Sequence, residues 1–410
     1  MAKKPNKELM VGIDIGTSKV VAIVSEILPD GTLNVVGLGS SPSSGLKKGV
    51  VVNIELTVQA IQKAVEEAEL QAQVQIYSAY TGIAGSHIRS INSHGIVAIR
   101  DREVSQGDVD RVIEAAKAVA IPTDQKIIHI LPQGFIVDGQ DGIHDPIGMS
   151  GVRLEAKVHI VTGSVSAAQN IDKCLKRCGL VATDIVLEQF ASSQSILSDD
   201  EKELGVCLVD IGGGTTDIAI FSEGAIRHTA VIPIAGDQVT NDIAIALRTP
   251  VRNAEEIKLK YACAVQDLAD VHQMIDMPSV GGAGRHISKR ALSEVVEARY
   301  EELFNLIEAD IHRSGLADNI SAGIVLTGGG AKVEAATILA ERIFKMPVRV
   351  GSPHKVGGLP ESARNPIYAT SIGLLLYGLQ QRDLQLNNII QPSMKSLWSR
   401  MKGWFQVAAV

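Results

Sequence analysis

Two aspartates, each ending an apolar run and followed at once by a glycine turn, carry the chemistry this chain is equipped to do. Asp14 closes Val11-Gly12-Ile13 and leads into Ile15-Gly16-Thr17-Ser18-Lys19, while Asp210 closes Leu208-Val209 and leads into Ile211-Gly212-Gly213-Gly214-Thr215-Thr216-Asp217. Apolar runs resume after each turn, at Val20 to Val24 and at Ile218 to Phe221, so both copies read as β-hairpins. Glycine leaves backbone N–H groups free to approach an anion with no Cβ in the way. A carboxylate just before such a turn is suited to holding water on Mg²⁺, and two facing hairpins would clamp the phosphates of a nucleotide. A third glycine run, Gly328-Gly329-Gly330, follows the apolar segment Ala322 to Thr327 and is read as opening a helix over 333–344. Taken singly, a glycine run is as a rule only a loop; together, at matching depth in two halves, the three carry more weight.

The elements around these turns alternate between strand and helix, an α/β organisation. After the first hairpin come a strand (Leu33 to Leu38), a Gly/Ser/Pro loop (Gly39 to Gly45) and a helix from Thr57 to Leu70, with Val58, Ile61, Ala64, Val65 and Ala68 on one face. The pattern then changes. Ile91–Ile99, Lys126–Val137 and Arg153–Val161 read as strands around one amphipathic helix that opens at Ser105-x-x-Asp108, so a small α+β subdomain is inserted in the first half. A helix from Ser166 to Gly179, a strand from Asp184 to Leu187 and a helix from Gln189 to Leu197 lead to the second hairpin. In the second half, helices are expected near Asp237, over Asn253 to Ala264 and from Ser288 to Arg313, with Met277 to Gly284 as a Gly/Pro/Ser loop. A helix from Asn365 to Leu379 carries the small residues Ala369, Ser371 and Gly373, suited to a hinge between the halves.

Composition narrows the function classes. At 410 residues, two or more domains are the default. Lys plus Arg number 39 against 46 Asp plus Glu, a formal charge of −7, which does not suit a general nucleic-acid binder. Cys174, Cys178, Cys207 and Cys263 form no C-x-x-C pair, and a reduced, cytosolic chain is the simplest reading. No signal-peptide core is visible, and the longest apolar stretch, Ile372 to Leu379, is too short to span a bilayer.

The three glycine turns resemble the actin-like ATPase superfamily, which includes actin, MreB and the DnaK-type chaperones. That resemblance implies a two-lobed, ribonuclease H-like α/β fold that binds ATP and Mg²⁺. It maps phosphate contacts onto Gly16, Thr17, Ser18 and Lys19 and onto Gly212, Gly213, Gly214, Thr215 and Thr216, nucleoside contacts onto Glu255, Lys258, Gly328, Gly329 and Gly330, and a further nucleotide contact onto Gly236. Asp14 and Asp210 would hold Mg²⁺, largely through water. Glu188 matches the residue that positions the attacking water, although the same glutamate could merely cap the following helix. Glu255 and Lys258, by spacing alone, are a solvated i, i+3 pair.

Within the superfamily the inserted segment is more specific. Asn92-Ser-His-Gly95, Ile130-Leu-Pro-Gln133, Phe135 to Gln140 and Asp145 to Glu155, together with Pro278-Ser-Val-Gly-Gly282, are similar to the FtsA family of bacterial cell division proteins over nearly the whole chain. Actin and MreB carry their small subdomain elsewhere in the first half, and a DnaK-type chaperone would need a substrate domain for which too little chain remains. This reading divides the chain into a first lobe (1–85 and 163–197), an inserted subdomain (86–162), a second-lobe core (198–245 and 305–363) with its own small subdomain (246–304), a closing helix packing on the first lobe (364–379), a linker (380–392) and a tail (393–410).

Both tryptophans of the chain lie in that tail. On a helical wheel Met394, Leu397, Trp398, Met401, Trp404 and Phe405 fall within an arc of roughly 120°, flanked by Lys395, Arg400 and Lys402 with no acidic residue from Pro392 onward. Amphipathicity alone would also fit a helix docked on its own protein. The polar linker, the bunched aromatics and the local positive charge on an acidic body favour an interfacial helix on an anionic membrane. Each large apolar side chain gains at most ~1.5–3 kcal/mol on burial, so one tail binds modestly and a polymer of tails binds avidly.

The resemblance implies a protein that polymerises on the cytoplasmic face of the inner membrane at the division site, with at most weak ATPase activity. It implies anchoring of the tubulin-like FtsZ through the second lobe's small subdomain and recruitment of later division proteins through the inserted one. Arg285, Arg290 and Arg299 are candidates for the acidic-apolar FtsZ tail. The alternatives are a pilus-type assembly ATPase or a small-molecule kinase of the same superfamily.

Overall fold

The computed structural model describes residues 8–279 and 282–386. Two five-stranded sheets form the centre, and they share one strand scheme. In the first, Leu33–Pro42, Lys19–Ile27 and Leu9–Ile15 run antiparallel, and Ser78–Ile83 and Val181–Leu187 then continue parallel to the last of them. In the second, Ala225–Ile232, Thr216–Ser222 and Val206–Ile211 run antiparallel, and Ile324–Thr327 and Val348–Val350 continue in parallel. The central strands are continuous apolar runs because helices cover both faces: Val206 to Ile211 is buried at every position.

Several helices start where the sequence offers a side-chain cap. Asn53 accepts a hydrogen bond from the Leu56 N–H and opens Ile54–Ala72, whose Val58, Ile61, Ala64, Val65 and Ala68 join the first core. The long helix Lys289–Ser314, capped by Ser288, lays Leu292, Val296, Tyr300, Leu303, Phe304 and Ile307 into the second core.

Residues between the two parts of the first lobe form a separate four-stranded sheet, in the order Arg89–Ala98, Arg153–Ser164, Gln125–Val137, Gln140–Ile143. The helix Gln106–Ala116 covers it and makes a core of its own with Leu154, Val158 and Ile160. Ser105 and Asp108 close a full capping box, as their spacing predicts. This insert docks on the outer strand of the second sheet: Ser90 donates to the Thr229 carbonyl (3.0 Å), Asn92 to Arg227 (3.1 Å) and Gln133 to Ile226 (2.9 Å).

Three segments depart from the sequence expectations. The stretch read as a loop over 277–284 is a hairpin, Met274–Ser279 with Gly282–Ser288. Ile275 and Met277, at period two, bury themselves in the second core, which outweighs the local density of turn residues. The helix expected from Val333 begins only at Ala336. Glu334 is drawn into extended pairing with Cys263, the Ala264 N–H donates to its carbonyl at 2.8 Å, and Ala335 turns left-handed (φ 61°) before the helix can start. Gly330–Lys332 is therefore a single 3₁₀ turn rather than the head of that helix. The closing helix begins after the 3₁₀ turn Pro366–Tyr368 and runs over 369–386, so the first residues expected as linker are helical.

Candidate functional site

The two hairpin turns meet face to face between the lobes. In the first, the Gly16 N–H donates to the Lys19 carbonyl at 3.0 Å; in the second, the Gly212 N–H donates to Thr215 at 2.9 Å. A Cβ on Gly213 would stand 1.9 Å from Ser18 Oγ, and one on Gly214 would stand 2.6 Å from Thr17 Oγ1 and 2.9 Å from the Lys48 Cα. Only glycine allows the second turn to approach the first this closely. Thr17 is itself held, its Oγ1 accepting from the Gly49 N–H at 3.0 Å.

Beneath the turns lie four carboxyl groups, those of Asp14, Glu188, Asp210 and Asp217. Asp14, Asp210 and Asp217 are buried, and Glu188, first residue of the helix Glu188–Ile196, is half-buried. Burial lifts Asp14 to about 6; the Lys19 ammonium opposes the shift and the Asp210 charge adds to it. Burial, then the charges of Asp14, Asp217 and Asp210, raise Glu188 well above the usual carboxylate range. Asp217 reaches about 8, through burial and through Asp210, its direct cross-strand partner. Asp210 is raised by burial, against the hydrogen bonds it accepts from Ser192 and Thr370. Lys19, pushed down to about 8 by burial, donates to the Ile367 carbonyl at 2.5 Å and lies 4.2 Å from the Tyr368 ring centroid. Crowded, desolvated carboxylates beside one lysine leave a deficit of positive charge in the cleft.

The remaining glycine and acid–base candidates border the same cleft. The Gly236 and Asp237 N–H groups donate to the carbonyls of Gly212 (3.1 Å) and Gly213 (2.8 Å), which sets the helix Gly236–Ala246 against the second turn. Lys258 donates to the Gly236 carbonyl (3.0 Å) and to Thr240 Oγ1 (2.8 Å), and pairs with Glu255 at 2.7 Å. The Glu255–Lys258 pair is thus fixed to the cleft wall. Gly328 has φ +80°, and a Cβ there would stand 2.4 Å from Asp210 Oδ1. Gly330 accepts from the buried Tyr300 hydroxyl at 2.8 Å, and Gly329 lies between the two.

Four further groups reach the site without having been singled out from sequence. Asp217 stood in the quoted motif, and period-two counting along the second hairpin would have placed it opposite Asp210. Ser192 donates to Asp210 Oδ2 at 2.7 Å, and Thr370 lies 3.4 Å from the same oxygen. His129, on the insert, accepts the Leu187 N–H at 3.0 Å, one residue before Glu188; burial holds its ring down to about 4 and so neutral. No local pattern announces these last three, because only the packing of distant segments brings them in.

None of the described arginine candidates contacts the carboxylates or the glycine turns. Arg299 is engaged with Asp242 through a two-pronged ion pair and with Glu302. Arg290 faces Asp267 at 3.3 Å with both side chains exposed. Arg285 lies in the strand Gly282–Ser288, and its side chain is outside the described part. Met394, Lys395, Leu397, Trp398, Arg400, Met401, Lys402, Trp404 and Phe405 also lie outside the described residues. No helix among the described residues is long and apolar enough to cross a membrane.

The donor set fits a hydrated cation with an anion. Among the described residues no three Asp, Glu, His or Cys side chains converge to hold an ion directly. Asp217 Oδ1, however, is buried without a hydrogen-bond partner, and the neighbouring carboxylates repel one another. Facing backbone turns supply N–H groups for an anion above them.

The family model "Cell division protein FtsA" matches residues 207–373, and "SHS2 domain inserted in FTSA" matches 85–162. The cell division protein FtsA of Pseudomonas aeruginosa is 60% identical over 414 residues, covering 99% of each chain. Among solved structures, the PilM–PilN type IV pilus biogenesis complex aligns with a TM-score of 0.65 at 16% identity, over 90% of this chain and 98% of that one. MreB5 of Spiroplasma citri bound to ADP aligns with a TM-score of 0.55 at 15% identity, over 94% and 99%. The architecture is thus actin-like, with two similar lobes and an inserted α+β subdomain in the first.

Proposed function

Because the chain belongs to the FtsA family of cell division proteins, we propose that it binds ATP with Mg²⁺ in the cleft between the hairpins and polymerises on the inner membrane. The observation that carries this reading is the contact of the two glycine turns over the buried carboxylates. A nucleotide is held in the related fold of MreB5, which supports the same use of the cleft here.

On this reading Gly16 to Lys19 and Gly212 to Thr216 offer backbone N–H groups and hydroxyls to the phosphates. Gly236, Glu255, Lys258 and Gly328 to Gly330 border the nucleoside. Mg²⁺, when bound, supplies the positive charge that Lys19 alone does not. Asp14 and Asp210 would hold it through water, since no three direct ligands converge among the described residues. Glu188 orients water at the phosphate end, and burial, which raises its carboxyl well above the usual carboxylate range, moves it in the direction a general base needs.

The tail from Ser393 onward anchors the filament to anionic lipid, the second lobe's small subdomain holds the FtsZ tail, and the insert recruits later division proteins. Of the two arginines with described side chains, Arg290 is the better placed to take an acidic peptide, because its pair with Asp267 is exposed whereas Arg299 is held by a two-pronged bond to Asp242. The protein thus works at the cytoplasmic face of the inner membrane, at the division site. Titration with a fluorescent ATP analogue tests the cleft: Asp210→Ala should weaken Mg²⁺-dependent binding at least ten-fold, and an unaltered affinity contradicts the assignment. Electron microscopy on lipid monolayers, with and without ATP, tests assembly; absence of filaments in both would refute the polymer.

A further inference from the structure

Asp210 takes its support from both of the helices that join the lobes. The chain leaves the first sheet after Val181–Leu187 through the helix Glu188–Ile196, and returns from the second lobe through the helix over 369–386. The returning helix packs Ile372 and Leu375 with Met10, Ile23 and Leu33 of the first lobe. The two helices cross in backbone contact: a Cβ on Gly373 would fall 1.8 Å from the Ala191 carbonyl oxygen. Ser195 donates to the Ala369 carbonyl at 2.7 Å one turn away.

At this crossing stand two buried hydroxyls, Ser192 at 0% exposure and Thr370 at 8%. Ser192 Oγ is 2.7 Å from Asp210 Oδ2, Thr370 Oγ1 is 3.4 Å from the same atom, and the two hydroxyls are 3.0 Å apart. Each hydroxyl has one proton to give. With Ser192 donating to the carboxylate, Thr370 can give its proton either to Asp210 or to Ser192. Its present position, closer to Ser192 than to Asp210, favours the latter, and a small displacement of one helix along the other would favour the former. A hydroxyl donating to a carboxylate is a charge-assisted bond, stronger than a neutral one, so the choice matters to the carboxylate.

We propose that Ser192 and Thr370 are positioning residues for Asp210, and that the Thr370 proton, shared between Asp210 and Ser192, carries the relative placement of the two crossing helices to the carboxylate that faces the hydrated cation. This rests on the reading of the cleft as a Mg²⁺–nucleotide site and deepens it. It makes the helix crossing and the cation site one hydrogen-bonded unit: a shift of one helix along the other moves a donor onto or off Asp210.

Equilibrium titration of the full chain with a fluorescent ATP analogue, in Mg²⁺ and again in EDTA, tests the proposal. Ser192→Ala and Thr370→Val should each weaken binding in Mg²⁺ by about ten-fold and leave binding in EDTA unchanged. Thr370→Ser, which keeps the hydroxyl, should bind as the unmodified chain does. The double variant should lose less than the product of the two single effects, because the two hydroxyls share one network. Equal losses in Mg²⁺ and EDTA, a Thr370→Ser variant as weak as Thr370→Val, or strictly multiplicative losses would each overturn it. Should Thr370→Val fail to fold, Ser192→Ala against Thr370→Ser decides alone. If the unmodified chain binds without regard to Mg²⁺, the reading of the cleft itself fails, which these variants' agreement with one another would not rescue.

Discussion

Gly214 is the residue at which the meeting of the lobes is least tolerant. An added Cβ would press on the Lys48 backbone and on Thr17, whose hydroxyl already holds Gly49. Overpacking of this kind costs about 1–3 kcal/mol, and here the relief is separation of the turns. Gly214→Ala should therefore lower nucleotide affinity more than it lowers the thermal midpoint; calorimetric titration beside thermal unfolding checks this. Gly213→Ala should be milder, since its added Cβ meets chiefly the rotatable Ser18 hydroxyl. At this scale the sequence was informative wherever chemistry repeats: Asp14, Asp210 and the glycines around them converge as their doubled phrase suggests. Ser192, Thr370 and His129 were not legible, because a serine or a threonine on a helix and a histidine on a strand acquire meaning only from what a distant segment places beside them.

Among elements, the insert's helix gives the sharpest test. Ser105 and Asp108 satisfy each other's N–H groups, and hydrogen bonds from Ser105, then Arg111, hold the Asp108 carboxyl down to about 2. A folded value below the ordinary 3.8 means that this support is present above pH 4 and is lost as the pH falls from about 4 to about 2. Ser105→Ala should cost about 1 kcal/mol, read as a lower thermal midpoint, with nucleotide affinity unchanged because the helix lies outside the cleft. Helix starts with side-chain caps, such as Asn53 and Ser105, are readable in one dimension. The hairpin Met274–Ser279 with Gly282–Ser288 and the late start of Ala336–Phe344 are not, because a tertiary partner decides both: the second core for Ile275 and Met277, and the Cys263 strand pairing for Glu334.

For the whole molecule, the doubled strand scheme of the two sheets follows from the doubled phrase, and it explains why one cleft rather than two sites emerges. On the proposed reading, the tail is the element through which such a body reaches lipid. Removing Ser393 to Val410 should abolish co-sedimentation with anionic vesicles while leaving nucleotide affinity intact. Retained sedimentation would assign membrane contact to another surface. Reversal of Arg290 to Glu should weaken binding of an acidic-apolar peptide with little loss of stability, since an exposed pair such as Arg290–Asp267 contributes little. Arg299→Glu should cost stability as well, by stranding Asp242.

The docking of the insert on Ala225–Ile232 has a consequence for solubility as well as for the proposed recruitment. The outer margin of a sheet is a template on which another chain can add a strand, and Ser90, Asn92 and Gln133 occupy that margin by bonding to the Thr229, Arg227 and Ile226 carbonyls. A chain stripped of the insert would lose the surface proposed for recruitment and at the same moment lay bare an adhesive border. Clumping of such a truncated protein in a cell would then imitate a failure of recruitment, and point substitutions on the insert's far face separate the two where deletion does not.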